Sequence, residues 1–108
     1  MIEPGLDRHE WESEWQALEE QLVDAPAQAL TDVDELVERM LTERGYALDD
    51  PIAREGDERE VVAEFLAARE LTRLVERGSD DVSPGDVGAA VNGYRAIFDY
   101  LIAERSAP

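Results

Sequence analysis

Cysteine and lysine are both missing from this chain, and His9 is its single histidine. Without cysteine there are no disulfides, no thiol catalysis and no thiolate metal sites. With every basic residue an Arg, the composition reads as the mark of a G+C-rich genome or an acid-adapted proteome. Long apolar runs are missing too: no segment approaches the roughly 20 apolar residues that cross a bilayer. The N-terminus, Met-Ile-Glu-Pro-Gly-Leu-Asp, has neither the basic region nor the apolar run of a leader. The expectation is a cytoplasmic protein.

Positive charge is scarce. Asp and Glu number 27 against 10 Lys and Arg, a formal net charge of -17. That speaks against nucleic acid or an anionic membrane as partner, and for high solubility or a cationic partner. Hydrophobic residues still make up 44% of the 108, which is ordinary for a globular chain and enough for one core. One domain is expected.

What is present is helical patterning, clearest in the last quarter. Ser83-Pro84-Gly85-Asp86 places a Ser cap, a Pro at the first helical position and an acid three residues after the cap. Val87, Val91, Tyr94, Phe98 and Leu101 follow at four- and three-residue steps, widened by Ala90, Ile97 and Ile102, so a helix is predicted over 84–104. A first helix is predicted over 7–24, with Asp7 and Glu10 as its capping box and Trp11, Trp15, Leu18 and Leu22 as a narrow seam. Pro26 ends it and Asp24 can cap the next. A second helix, 26–44, carries Leu30, Val33, Val37 and Met40, flanked by Leu36 and Leu41, and stops at Gly45. The short join predicts an antiparallel hairpin, with a kinked single rod as the alternative.

Residues 46–57 read as a loop, before Asp57 and Glu60 open a third helix over 58–77 that Gly78 closes. Val61, Val62, Phe65 and Leu66 lie on one side of it, whereas Leu71 and Leu74 fall well round the cylinder. Such a helix is buried from two directions, is bent, or keeps a face for a partner. The fold class is therefore all-α, an antiparallel four-helix bundle.

Motifs that carry chemistry are few. A di-metal bundle needs Glu-x-x-His pairs, and none occurs; His9 reads as an exposed residue near a helix start. Asp81 to Asn92 fails as a calcium loop, because Gly85 falls at the fifth position and Asn92 stands at the twelfth. Asp49 to Glu60 fails because Arg54 replaces the turn glycine and Pro51 and Ala53 replace ligands. Ser13, Ser79, Ser83 and Ser106 have no suitable His partner, and no Gly-rich phosphate loop is present. No cofactor, metal site or catalytic residue is assigned.

Three features stand above that background. Trp11 and Trp15 sit one turn apart, as core fillers or as anchors for a partner. Arg69, Arg73 and Arg77 form a positive row, either neutralising neighbouring acidic faces or meeting an anionic partner group. Tyr94 lies on the core stripe beside Arg95, with a buried hydroxyl that needs a hydrogen-bond partner.

Trp15, Leu22-Val23-Asp24-x-Pro26, Leu30, Val33-Asp34-x-Leu36-Val37 and Met40 form one constellation. Asp86-Val87, Ala90-Val91, Tyr94-Arg95-x-Ile97-Phe98 and Leu101-Ile102 form another. Together these residues, within 15–42 and 83–102, resemble a family of small, mostly hypothetical helical proteins of actinobacteria. The stretch from Gly45 to Asp57 departs from that family's more continuous helical pattern. The resemblance implies a prokaryotic, cytoplasmic, all-helical protein and carries over no activity.

The expected role is a non-enzymatic protein-interaction or structural module, with a protein partner or a second copy of itself. Candidate contacts are Trp11, Trp15, Leu66, Arg69, Leu71, Arg73, Leu74 and Arg77. An acidic decoy for basic or nucleic-acid-binding proteins is the first alternative, and a metal-binding or enzymatic bundle using clustered carboxylates the second.

Overall fold

Pro26 interrupts a stretch that is otherwise helix-forming from end to end, and the fold begins with that break. In the computed structural model, which describes residues 4–46, 48, 56–78 and 80–106, Ala25 alone separates α1 (Pro4–Asp24) from α2 (Pro26–Glu43). The chain reverses there: Arg39 of α2 pairs with Glu14 of α1 at 3.1 Å, so the two helices are antiparallel. The hairpin, and not the kinked rod, is the structure. Ala25 is the residue before α2, and no side chain caps that helix, so Asp24 does not take the predicted role. With Pro at its first position, α2 has one unsatisfied N–H fewer to cap.

At its far end α2 closes as predicted. Gly45 adopts φ 86°, its N–H donates to Thr42 O, and the N–H of Tyr46 donates to Leu41 O. This pairs two of the last carbonyls through a left-handed residue that Gly adopts without steric cost. α3 (Gly56–Glu76) ends similarly at Gly78, with φ 69°. α4 (Pro84–Ser106) opens on the predicted reciprocal cap: Asp86 N–H donates to Ser83 Oγ and Ser83 N–H to Asp86 Oδ2, each at 3.1 Å.

Two helix starts differ from expectation. α1 is already helical at Pro4 and α3 at Gly56, so Asp7 and Asp57 lie inside helices instead of capping them. Pro at the first turn of α1 costs nothing, since its missing N–H would have no partner. Most of the predicted 46–57 loop, and Ser79, lie outside the described residues. Among the described residues every element is a helix, and none is long and apolar enough to cross a membrane.

The four helices run up and down in chain order. α2 and α4 are parallel and touch across the centre, while α1 and α3 flank them on opposite sides and, among the described residues, do not meet each other. Side chains less than 2% exposed come from α2, α3 and α4, among them Leu30, Leu36 and Val37 of α2, Val62 and Phe65 of α3, and Tyr94, Ile97 and Leu101 of α4. Burying each aliphatic or aromatic group of this kind stabilises the fold by about 1.5–3 kcal/mol. α1 contributes less, chiefly Trp15 and Leu22.

α3 uses both sides of its cylinder. Val61, Val62, Phe65 and Ala68 are buried, and Leu66, Leu71 and Val75 pack partly buried against the same core. Lying beside α2 and α4 together, the helix covers a wider arc than a two-helix seam requires.

Candidate functional site

Asp34 is the unexpected residue of α2. It stands four residues after Leu30 and three before Val37, on the apolar stripe itself, and it is 7% exposed. A carboxylate so placed must find donors, because burying it unpaired costs several kcal/mol. α3 supplies one set: Arg69 Nε lies 3.2 Å from both carboxylate oxygens and its terminal nitrogen 2.6 Å from Oδ1. α4 supplies another, the Tyr94 hydroxyl, which donates to Oδ2 at 2.6 Å.

The rest of the cluster follows from hydrogen-bond valence. Tyr94 has one hydroxyl proton; giving it to Asp34 leaves its oxygen as an acceptor for Thr72, 2.7 Å away. Thr72 is also 3.0 Å from the carbonyl of Ala68, and its own proton serves these two acceptors. Arg69 further donates to Glu38 at 2.6 Å, and its guanidinium carbon stands 4.6 Å above the Phe65 ring. Phe65 in turn meets Tyr94 edge-on, with centroids 6.1 Å apart. Three helices are thus tied by one charged, stacked and hydrogen-bonded cluster.

The electrostatics agree with the geometry. Burial, then the bond to Asp34, pushes the Tyr94 phenol well above its ordinary range. The hydrogen bond to Asp34, seconded by Glu38, outweighs the opposing effect of burial and raises Arg69 beyond its already high value. The neutral phenol and the charged guanidinium are both locked forms.

Over this cluster α2 and α3 part to leave a polar groove of about 250 Å³, lined by Thr31, Asp34, Glu35, Glu38, Arg69, Thr72, Arg73 and Glu76. Thr31 bridges it, its hydroxyl donating to Glu76 Oε2 at 2.7 Å. A second groove, about 290 Å³, runs between α1 and α2 and is lined by Glu14, Ala17, Leu18, Asp32, Glu35 and Arg39. Glu35 lines both. It stands exposed on the ridge of α2, with no ion pair to any described residue.

The residues singled out in the sequence do not form one site. Arg69 and Arg73 share a wall of the α2–α3 groove, while Arg77 is exposed just past the end of α3. Trp15 is buried and stacks on Phe98, centroids 4.5 Å apart and planes 11° apart. Trp11 is half-buried under Arg39, whose guanidinium carbon is 5.7 Å from its ring. Leu66 and Leu71 pack against the core, and Leu74 is half-buried. Arg95, beside Tyr94, pairs with Glu19 of α1.

Sequence reasoning gave Tyr94 its need for a partner but missed the partner. The available signal was Asp34 at a stripe position, opposite a helix carrying Arg69 and Thr72 three residues apart. Among the described residues no group of three or more His, Asp or Glu is placed to hold a metal ion. Set against known protein families, curated proteins and solved structures, the chain matches none.

Proposed function

We propose that the chain is a non-enzymatic interaction module that captures a basic segment of a partner protein along the exposed ridge of α2. The observation that carries this reading is Glu35, unpaired among the described residues and shared by two grooves. Asp32 flanks it, exposed, and Glu38 keeps 41% of its side chain in solvent while holding Arg69. In the α1–α2 groove, Ala17 and Leu18 offer an apolar floor beneath acidic rims. An Arg or Lys side chain suits that arrangement, its methylene stem lying on the floor and its charged head reaching a carboxylate. The net charge of -17 would speed the encounter. The Asp34 cluster serves the reading indirectly, by fixing α2 against α3 and α4 so that the ridge is rigid.

A cytoplasmic setting in an actinobacterium belongs to the same reading, supported by the Arg-only basic residues and by the family resemblance. The test compares two double charge reversals in binding to Arg-rich and Lys-rich peptides at low salt. Asp32→Arg with Glu35→Arg changes the ridge; Glu70→Arg with Asp99→Arg makes the same change in net charge elsewhere. Ridge reversal is expected to weaken binding at least tenfold more than the control pair. Equal losses would reduce the interaction to bulk charge and defeat the proposal.

A further inference from the structure

The join between α1 and α2 is a single residue. Ala25, at φ -147° and ψ 74°, is the only position between the two helices. The helical ladder runs into it and out of it: its N–H donates to Gln21 O at 2.7 Å, and its own carbonyl accepts from Ala29 N–H at 3.2 Å. Turning one residue's dihedrals to helical values would therefore convert the hairpin into one long helix.

The pairing across the hairpin has a matching symmetry. Arg39 meets both Glu14 and Trp11, and Leu18 shares a groove with Asp32 and Glu35. These pairs straddle residues 25–26. Two opened chains laid antiparallel about a two-fold axis through those residues would restore every such pair, with α1 of each copy on α2 of the other. The contacts of α1 with α4, Trp15 on Phe98 and Glu19 with Arg95, would form between copies in the same way. Exchange of an identical element reuses an interface that already exists.

A further observation points to the same place. The exposed large hydrophobic side chain among the described residues is Val23, at 80%. It lies two residues from the hinge, where two exchanging copies would meet and cover it. Against the exchange stands Pro26, which inside a continuous helix would clash with the carbonyl of Leu22.

We infer that α1 is an exchangeable arm: the chain forms a dimer with a second copy of itself by swapping α1 about Ala25, and Pro26 sets how much dimer is present. This inference is independent of the basic-segment reading, since it rests on the hinge and not on the charge of the α2 ridge.

The absence of native cysteine makes the test unambiguous. Glu19→Cys is placed in one batch of chain and Arg95→Cys in another; the two are mixed at high concentration, refolded together and treated with a short bismaleimide. A covalent heterodimer is expected, because α1 of one chain then lies on α4 of the other. Light scattering of the cysteine-free chain should show a dimer that grows with concentration. Pro26→Ala should raise the dimer fraction at least tenfold at fixed concentration, and five Gly/Ser residues inserted after Ala25 should remove it. A monomeric Pro26→Ala chain over the whole concentration range would overturn the inference. So would a dimer in which the Glu19→Cys and Arg95→Cys chains do not cross-link, because that dimer would be a surface contact.

Discussion

The Tyr94 hydroxyl of α4 donates to the Asp34 carboxylate of α2 across 2.6 Å, although 60 residues separate them in the chain. That bond lies at the centre of a cluster that includes Arg69, Thr72 and Phe65 of α3 and Glu38 of α2. Removing Asp34 leaves a guanidinium that is only 19% exposed with the half-exposed Glu38 as its remaining acid, and leaves the buried Tyr94 hydroxyl without its acceptor; breaking a buried pair from one side costs far more than the pair is worth. Asp34→Ala is expected to lower the urea-unfolding free energy by about 3 kcal/mol. Tyr94→Phe, which deletes only a neutral donor, should cost about 1–2 kcal/mol. Asp34→Leu combined with Arg69→Leu should cost less than Asp34→Ala alone, since both ends of the ion pair disappear together. A double variant worse than the single would show that the pair contributes more than mutual neutralisation.

Alkaline titration gives the cluster a pH signature. Tyr94 is raised above its ordinary value near 10, by burial first and by the bond to Asp34 second. The folded state thus keeps the phenol neutral where the unfolded chain ionises. Its stabilising contribution is complete below pH of about 10 and is lost as pH climbs from there toward the raised value. Stability of the native chain should fall more steeply above pH 10 than that of Tyr94→Phe, by the slope of one proton. The measurement is urea denaturation at closely spaced pH values; parallel curves would mean that Tyr94 ionises freely in the fold.

Two glycines inside α4 separate packing from propensity. A Cβ at Gly88 would meet nothing within 4 Å, whereas one at Gly93 would touch Ala68 Cβ at 3.5 Å, an ordinary contact. Neither is in the left-handed region, so both pay the entropic cost of glycine in a helix. Gly88→Ala and Gly93→Ala should each raise stability, by about 0.5–1 kcal/mol. A larger side chain distinguishes them. Gly88→Leu should remain tolerated, while Gly93→Leu must push α3 from α4 and should destabilise by about 1–3 kcal/mol. Thermal unfolding of the four variants checks both halves of the argument.

The helices were legible because local rules and tertiary packing agree along most of this chain. Ser83, Pro84 and Asp86 form the cap that their types dictate, and Gly45 takes the positive φ that ends α2. The stripe of Leu30, Val33 and Val37 faces the core as its period requires. What the pattern hid was polar and long-range. Asp34 reads as a surface acid in so acidic a chain, and its value depends on two helices that a one-dimensional pattern does not bring together. The wide burial of α3 was visible as apolar residues on two sides, but only the positions of α2 and α4 explain it.

Trp15 and Trp11 look equivalent in the sequence, one turn apart on one seam, and the fold makes them unequal. Trp15 is 9% exposed and stacks on Phe98 of α4; Trp11 is half-buried, with the guanidinium of Arg39 over its ring. Trp15→Ala should therefore cost about 3–5 kcal/mol, the range for deleting a buried aromatic. Trp11→Ala forfeits a partly exposed cation–π contact and part of its buried area, about 1 kcal/mol. Because the described residues of α1 touch α2 and α4 and not α3, losing Trp15 removes a main anchor of α1 to α4. Amide exchange along α1 should rise in Trp15→Ala before the exchange of α3 changes. If α3 loses protection to the same extent and at the same denaturant concentration, α1 is an integral part of one cooperative unit and not an arm docked on a three-helix core.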